Sequence, residues 1–558
     1  MSARNLEQQL GGVLRDVLQR SEPAGGPAEA LPEAAFRWEI PKDPSFGDLS
    51  SSIAFKLAAR RRQPPQKLSE ELAAAVFAGA RDAGLGRLVQ KAEAKGGFVN
   101  VFLSPEALAG VVRAILKEGA RYGHVVPARS RAVNVEFVSA NPTGPLSVAH
   151  GRQAAIGDIL VRLLRSQGER VTAEYYLNDE GRQIEMLGRS LQARYLQKLG
   201  QDVPFPEDGY HGAYVTDSAA RLAERMGAQW REAPLERFTE LAMSEQLAEI
   251  KRVLGKFGLV FDVWTSQKWL RTSGRIDRAL EALKAKDALY EADGALWFAS
   301  TKFGDDKDRV IRKRDGELTY LAPDIAYHQL KYERQYGQLI NLWGPDHHGY
   351  IARVKAAMAA LGLPVERLDV RIAQLVTLTR GGQPVPMSKR QGEFVTFEEI
   401  LDEVGVDATR FFYVMRTMDS QLDFDLELAK SQSQDNPVYY IQYAHARICS
   451  ILGKAKLPWW SAWRPDVARL SEPEERQLMH WLFQYPAILR MCAAAHEPHG
   501  VTVYLRKLAE SFHVFYTKHR VINDDPRLSA ARLALIRATR QVFANGLGVL
   551  GISAPHRM

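Results

Sequence analysis

The chain has 558 residues, 46% of them hydrophobic, and its 74 Lys and Arg exceed its 66 Asp and Glu for a formal charge of +8. That length suits about three or four domains of roughly 150 residues each, and the composition excludes a disordered chain. No apolar run reaches the roughly 18 residues of a membrane span. The two cysteines, Cys449 and Cys492, supply neither a disulfide framework nor a zinc site. A cytoplasmic setting without membrane contact is therefore expected. The first 20 residues are amphipathic and lack the apolar core of a secretory signal. The small basic excess suits either an ordinary soluble surface or contact with a polyanion.

In chain order, residues 1–125 read as a small α/β module. Strands are expected at EAAFRWEI (33–40) and GGFVNVFLS (96–104), and helices at GDLSSSIAFKLAARRR (47–62) and QKLSEELAAAVFAGA (66–80). GHVVPARS (123–130) reads as a linker. From 131 to 406 strands and helices alternate, as in VNVEFVS, then GRQAAIGDILVRLLRSQG, then RVTAEYYLN, which predicts a doubly wound parallel sheet. Residues 200–310 are less regular and read as an insertion. From 407 to 558 the periodicity is helical almost throughout, as in NPVYYIQYAHARICSILGKAK, and predicts an α-helical C-terminal domain.

Three stretches carry chemistry. NPTGPLSVAHGRQ (141–153) is a strand–loop–helix turn, where α/β sheets bind ligands. His150 falls near the helix start, where N–H groups and the dipole favour an anion, and Arg152 adds charge; a structural hydrogen-bonding histidine fits the same residues. PVPMSKRQG (384–392) places Lys389 and Arg390 on a loop before a helix. That pair suits a phosphate clamp or an ordinary solvated face. In LTYLAPDIAYHQL, Tyr320 and Asp324 are four apart at a helix start and can face one cleft. An Asp near the cap and a core Tyr explain them equally. Tyr440, Tyr443 and Arg447 fall at i, i+3 and i+7 of one helix, a face that suits base stacking or a buried aromatic stripe.

The order of VEFVSANPTGPLSVAHGR, YLNDEGRQI, GPDHHGYIARVKAA, MSKRQGEFVTFEEILDEVGVDATRFFYVMR and DNPVYYIQYAHARICSIL resembles the arginyl-tRNA synthetases, of the class I aminoacyl-tRNA synthetase family, over essentially the whole chain. The resemblance implies a Rossmann-like catalytic domain between an N-terminal tRNA-contacting module and a C-terminal α-helical anticodon-binding domain. It implies ligation of L-arginine to tRNA(Arg) through an arginyl-adenylate, with ATP as substrate, Mg2+ accompanying it, and a monomer. It assigns catalysis to His150, Lys389 and Ser147. ATP contacts fall to Gly144, Pro145, His150, Gly151, Met387, Ser388 and Lys389. Arginine contacts fall to Ser139, Asn141, Tyr320, Asp324 and His347, and tRNA contacts to Tyr440, Tyr443 and Arg447. No protein metal ligand is implied.

The chain departs from the family pattern at three places. Ser147 stands where the first signature usually begins with His, and Pro386 where the second begins with Lys. Gln267 stands near an expected second acid for the guanidinium. A catalytically impaired tRNA-binding paralogue and a class I enzyme for another amino acid are the competing readings.

Overall fold

The computed structural model describes residues 3–20, 33–41, 43–385, 395–455 and 465–558. They form two compact units, one of residues 1–125, 433–496 and 500–558 and the other of residues 126–432 and 497–499.

The second unit is built on a parallel sheet. Its strands in chain order are Ala132–Glu136, Arg170–Leu177, Val263–Ser266, Gln338–Trp343 and Leu368–Ile372. They stand side by side in the order fifth, fourth, first, second, third, every neighbouring pair parallel. The strands are apolar because helices cover both faces; Val133, Val135, Ala173, Leu339 and Ile340 are buried. Chain order reverses between the first and fourth strands, and their carboxyl ends therefore leave a crevice.

The helix Val148–Ser166 follows the first strand and ends before Gly168, whose φ of +86° suits glycine. Gly157 lets this helix lie on the buried Phe137: a Cβ at residue 157 would stand 2.1 Å from the ring. Asp158 of the same helix pairs with the buried Arg410 at 2.7 Å, which fastens the helix Val406–Val414.

Residues 200–310, expected as one insertion, in part belong to the sheet. Val263–Ser266 is its edge strand, and the helix Leu235–Lys256 packs on Arg182–Lys198. The antiparallel strands Leu289–Ala292, Ala295–Phe298 and Arg309–Arg312 form a separate small sheet. Residues 407–432, expected among the C-terminal helices, also belong to this unit. Leu422–Asp425 pairs in parallel with Val376–Arg380, a tie that helical periodicity around a four-residue strand hides. The TRGGQPV hairpin is present, Val376–Arg380 running antiparallel to Gln383–Pro384.

In the first unit, strands Leu49–Ser51, Phe98–Leu103 and Val89–Lys95 form an antiparallel sheet. Helices Ala3–Arg20 and Pro65–Asp82 bury Leu6, Leu10, Leu14, Leu68, Leu72 and Val76 at helical spacing. EAAFRWEI is not a strand: Glu33–Phe36 is a 3-10 turn, and Glu39 alone bridges Ser50 before Pro41 ends the run. Residues 47–52, expected in a helix, supply the edge strand instead, and the helix begins at Ile53. The serines disfavour helix there, and Asp48 accepts the Leu103 N–H at 2.7 Å.

The C-terminal helices Pro437–Lys454, Pro473–Ala495, His499–Lys518 and Pro526–Leu550 start cleanly where Asn436 and Asp525 cap. A buried Glu475–Arg532 pair at 2.7 Å joins two of them. His480 meets Asp48 at 2.5 Å and Arg490 meets Glu7 at 2.6 Å, so these helices and the N-terminal module form one body. No described helix is long and apolar enough to cross a membrane.

Gly157→Ala should cost about 1–3 kcal/mol by driving a methyl into the Phe137 ring, read by denaturant unfolding of the full chain. Unchanged stability would contradict this packing.

Candidate active site

A cavity of about 500 Å³ lies at the carboxyl ends of the parallel strands. It is bordered after the first strand by Glu136, Ser139 and Asn141, after the fourth by Trp343 and His347, and after the third by Gln267. His150, Tyr320 and Asp324 also border it. Six residues singled out in the sequence, Ser139, Asn141, His150, Tyr320, Asp324 and His347, therefore share one space.

The backbone is strained where the first strand ends. Val138 and Ser139 have φ of +68° and +39°, and the Ser139 N–H donates to the Phe137 carbonyl at 2.9 Å. A β-branched residue at positive φ is an outlier that surrounding structure must hold. Here Ser139 Oγ donates to Glu136 Oε1 at 3.1 Å and accepts the Tyr176 N–H at 3.1 Å. Tyr175 donates to the Ala140 carbonyl at 2.7 Å. Asn141 spends an amide N–H on Gln183 Oε1 at 2.6 Å, which leaves its oxygen as an acceptor.

His150 occupies the first turn of its helix, whose N-cap is Ser147. The Ser147 N–H donates to His150 Nδ1 at 3.1 Å, so a neutral ring carries its proton on Nε2 as a donor. Ser147 Oγ lies 3.1 Å from the same Nδ1, so the hydroxyl faces His150. Gly144 and Gly151 are required by packing: a Cβ on Gly144 would stand 2.9 Å from the Tyr214 hydroxyl and one on Gly151 2.4 Å from the Phe397 ring. Pro145, like Gly144, lies in the loop that enters the helix.

Arg152 does not add charge to this helix start. It is fully buried and donates to the carbonyls of Gln374, Ser420 and Thr417 at 2.8, 2.8 and 2.9 Å. Pro386, Met387, Ser388, Lys389 and Arg390 lie outside the described residues. The chain that follows them is held at the His150 helix, for Thr396 bridges Ser147 and the Phe397 N–H donates to the Leu146 carbonyl at 2.7 Å.

Asp324 is in the first turn of the helix Leu321–Glu333. Burial pushes its carboxyl up to about 8; Glu136 adds to the rise and Lys331 opposes it. No described side chain donates to this carboxyl. Beneath it runs a closed chain of partners. Lys331 Nζ, fully buried, meets Glu136 Oε2 at 2.6 Å and Asn341 Oδ1 at 2.9 Å. The Asn341 amide donates to His328 Nε2 at 2.8 Å, and His328 Nδ1 donates to the Asp324 carbonyl at 2.8 Å. Burial pushes the His328 imidazole down to about 3, so it is neutral and has one donor and one acceptor to match. Glu136, His328 and Lys331 carry no signal of their own in the sequence, where they read as strand and core helix. Gln267 is also engaged, its Oε1 accepting from the Tyr176 hydroxyl at 2.9 Å. Tyr320 is 61% exposed at the mouth.

In the other unit, Tyr443 and Arg447 are exposed on the helix Pro437–Lys454 and Tyr440 is half-buried beside them. They are not a core stripe. Tyr440 and Tyr443 rings lie 4.7 and 6.0 Å from His513, and Arg447 donates to the Tyr516 hydroxyl at 2.7 Å. His513 and Tyr516 come from a distant helix and were not singled out in the sequence. Among the described residues no group of three or more His, Cys, Asp or Glu is arranged to hold a metal.

Comparison with known proteins agrees with this layout. Residues 5–103 match the arginyl tRNA synthetase N terminal domain, residues 111–423 the class I (R) tRNA synthetase catalytic domain, and residues 441–558 the DALR anticodon binding domain. The chain is 42% identical to the arginine–tRNA ligase of Carboxydothermus hydrogenoformans, over 99% of this chain and 100% of the relative. It is 44% identical to that of Geobacillus thermodenitrificans, again over 99% and 100%. The Thermus thermophilus arginyl-tRNA synthetase has the same fold, with a TM-score of 0.77 at 24% identity and full coverage of both chains. Sheet order, strained first-strand turn, helical C-terminal domain and full-length relatives agree: the chain belongs to the arginyl-tRNA synthetase family.

Proposed function

We propose that this chain ligates L-arginine to its tRNA in two steps, joining arginine to AMP with release of pyrophosphate and then passing the arginyl group to the tRNA 3′ end. The observation that carries the reading is Asp324, a half-buried carboxyl bordering the cavity with no cationic partner among the described residues. A guanidinium is planar, permanently charged and matched to a carboxylate by paired N–H donors. It supplies the charge that lets Asp324 ionise. Tyr320 packs at the mouth against the guanidinium plane. At the other end Ser139 Oγ retains a lone pair and Asn141 its amide oxygen, which suit an α-ammonium, and His347 borders the same space.

ATP enters as its magnesium complex, the ion being part of the substrate. His150 donates from Nε2 to the nucleotide phosphates, and Ser147 acts through it by holding the tautomer. Gly144, Pro145 and Gly151 shape the turn against which the nucleotide lies. Met387 and Ser388 are taken as further ATP contacts, and Lys389 neutralises the leaving pyrophosphate. The anchoring of Thr396 and Phe397 at the His150 helix supports bringing that segment to the site. Tyr440, Tyr443 and Arg447 stack on unpaired anticodon bases, a role their exposure supports. The reading includes a cytoplasmic monomer.

The primary test is ATP–pyrophosphate exchange with tRNA present and a panel of amino acids. Arginine alone should support exchange. No exchange, or exchange with another amino acid, would contradict the reading. Lys389→Ala should lower the exchange kcat by about 10²–10³ with little change in the arginine KM, and an unaltered kcat would remove Lys389 from the mechanism.

The raised Asp324 acid gives a pH signature. Arginine binds the carboxylate, and below about 8 the free site holds a proton. That proton must leave on binding, so affinity weakens as pH falls, by about tenfold per unit between pH 7.5 and 6, and levels off above 8. Calorimetric Kd values across this range should show that slope, and Asp324→Asn should weaken binding and flatten it. A pH-independent wild-type Kd would rule out Asp324 as the cation's partner.

A further inference from the structure

We propose that the Tyr327 hydroxyl is a second ligand for the guanidinium, a neutral acceptor working where an acidic one is missing at Gln267. The assignment rests on the reading that the cavity takes arginine.

Tyr327 borders the cavity and is 1% exposed, and its hydroxyl has no hydrogen-bond partner among the described residues. A buried hydroxyl without a partner is unfavourable, and one on a residue that borders a cavity can be satisfied by a ligand there. The ring cannot turn away to find another. It lies 4.4 Å from the Tyr176 ring, centroid to centroid, and Lys331 Nζ sits 4.3 Å from its own centroid. Tyr320, Asp324, Tyr327 and Lys331 fall at i, i+4, i+7 and i+11, one stripe of one helix. Tyr327 therefore follows Asp324 by one turn on a helix stripe that borders the cavity.

The chemistry of the ligand asks for such a group. A guanidinium has five N–H donors, and a carboxylate facing it squarely takes two. Two acceptors nearby, Glu136 and Gln267, are committed. Both Glu136 oxygens are taken, by Ser139 Oγ at 3.1 Å and Lys331 at 2.6 Å. Gln267 accepts from Tyr176 at 2.9 Å and donates to Glu180 at 3.3 Å. Asn178 Oδ1 is also unpartnered, but it follows the second strand and does not share the Asp324 stripe.

The test is Tyr327→Phe in the full chain, which removes one oxygen and keeps the ring. Since the hydroxyl bonds nothing in the protein, the ligand-free Tm should be unchanged or raised. The arginine Kd by calorimetry and the arginine KM in exchange should rise about 10- to 100-fold. The ATP KM, and the kcat at saturating arginine, should stay at wild-type values. An unchanged arginine Kd overturns the proposal. So does a fall in ligand-free Tm with no selective loss of arginine, which would mark a structural hydroxyl. Wild-type protein titrated alongside separates the two claims. If wild type binds arginine and the variant does so equally, only Tyr327 is wrong; if wild type takes no arginine, the reading of the cavity fails and this assignment with it.

Discussion

A half-buried carboxyl held at a helix start, with no cation paired to it among the described residues, is the constraint around which the catalytic unit is arranged. Burial raises the Asp324 acid to about 8, and the nearby Glu136 pushes in the same direction. Two uncompensated acids in one buried region would be untenable, and the fold resolves this unevenly. Lys331, itself fully buried, neutralises Glu136 at 2.6 Å and leaves Asp324 with no such partner. Among the described residues the site thus lacks one positive charge, and in the proposed reading a cationic substrate supplies it.

The parallel sheet explains how such a site can exist. Reversal of strand order between Ala132–Glu136 and Gln338–Trp343 opens a crevice into which loops from several strands can send side chains. Strain is concentrated there, in the positive φ of Val138 and Ser139, and the surrounding bonds from Tyr175, Tyr176 and Glu136 hold it. The His150 helix is fastened from behind by buried ionic groups: Arg152 on carbonyl oxygens and Asp158 on Arg410. Those charges do no chemistry. They fix the helix whose first turn presents the imidazole.

Much of this was legible in the sequence, and what was not has physical reasons. The proline- and glycine-bearing turn after an apolar strand locates the crevice, and spacing of four puts Tyr320 and Asp324 on one side of a helix. The partners that give Asp324 its character were hidden. His328 and Lys331 come from the same helix, but their meaning depends on Glu136 and Asn341, which only the folded sheet brings near. Arg152 reads as a charge beside an anion site because the sequence cannot say that a long side chain turns inward. The packing at Gly144 and Gly151 was hidden too, since Tyr214 and Phe397, which occupy the space a Cβ would need, come from distant parts of the chain. Short strands such as Val263–Ser266 and Leu422–Asp425 lie among helical periods that mask them. On the C-terminal helix, spacing alone could not distinguish a core stripe from a solvent-facing one; the exposure of Tyr443 and Arg447 excludes the core stripe.

The central claim, that the half-buried Asp324 recognises the cationic end of the substrate, is tested most directly by a high-resolution structure of the full chain with arginine bound. The guanidinium should lie side by side with the Asp324 carboxylate and the α-ammonium should face Ser139 and Asn141. Arginine seated elsewhere, or reversed so that its ammonium meets Asp324, would contradict the account.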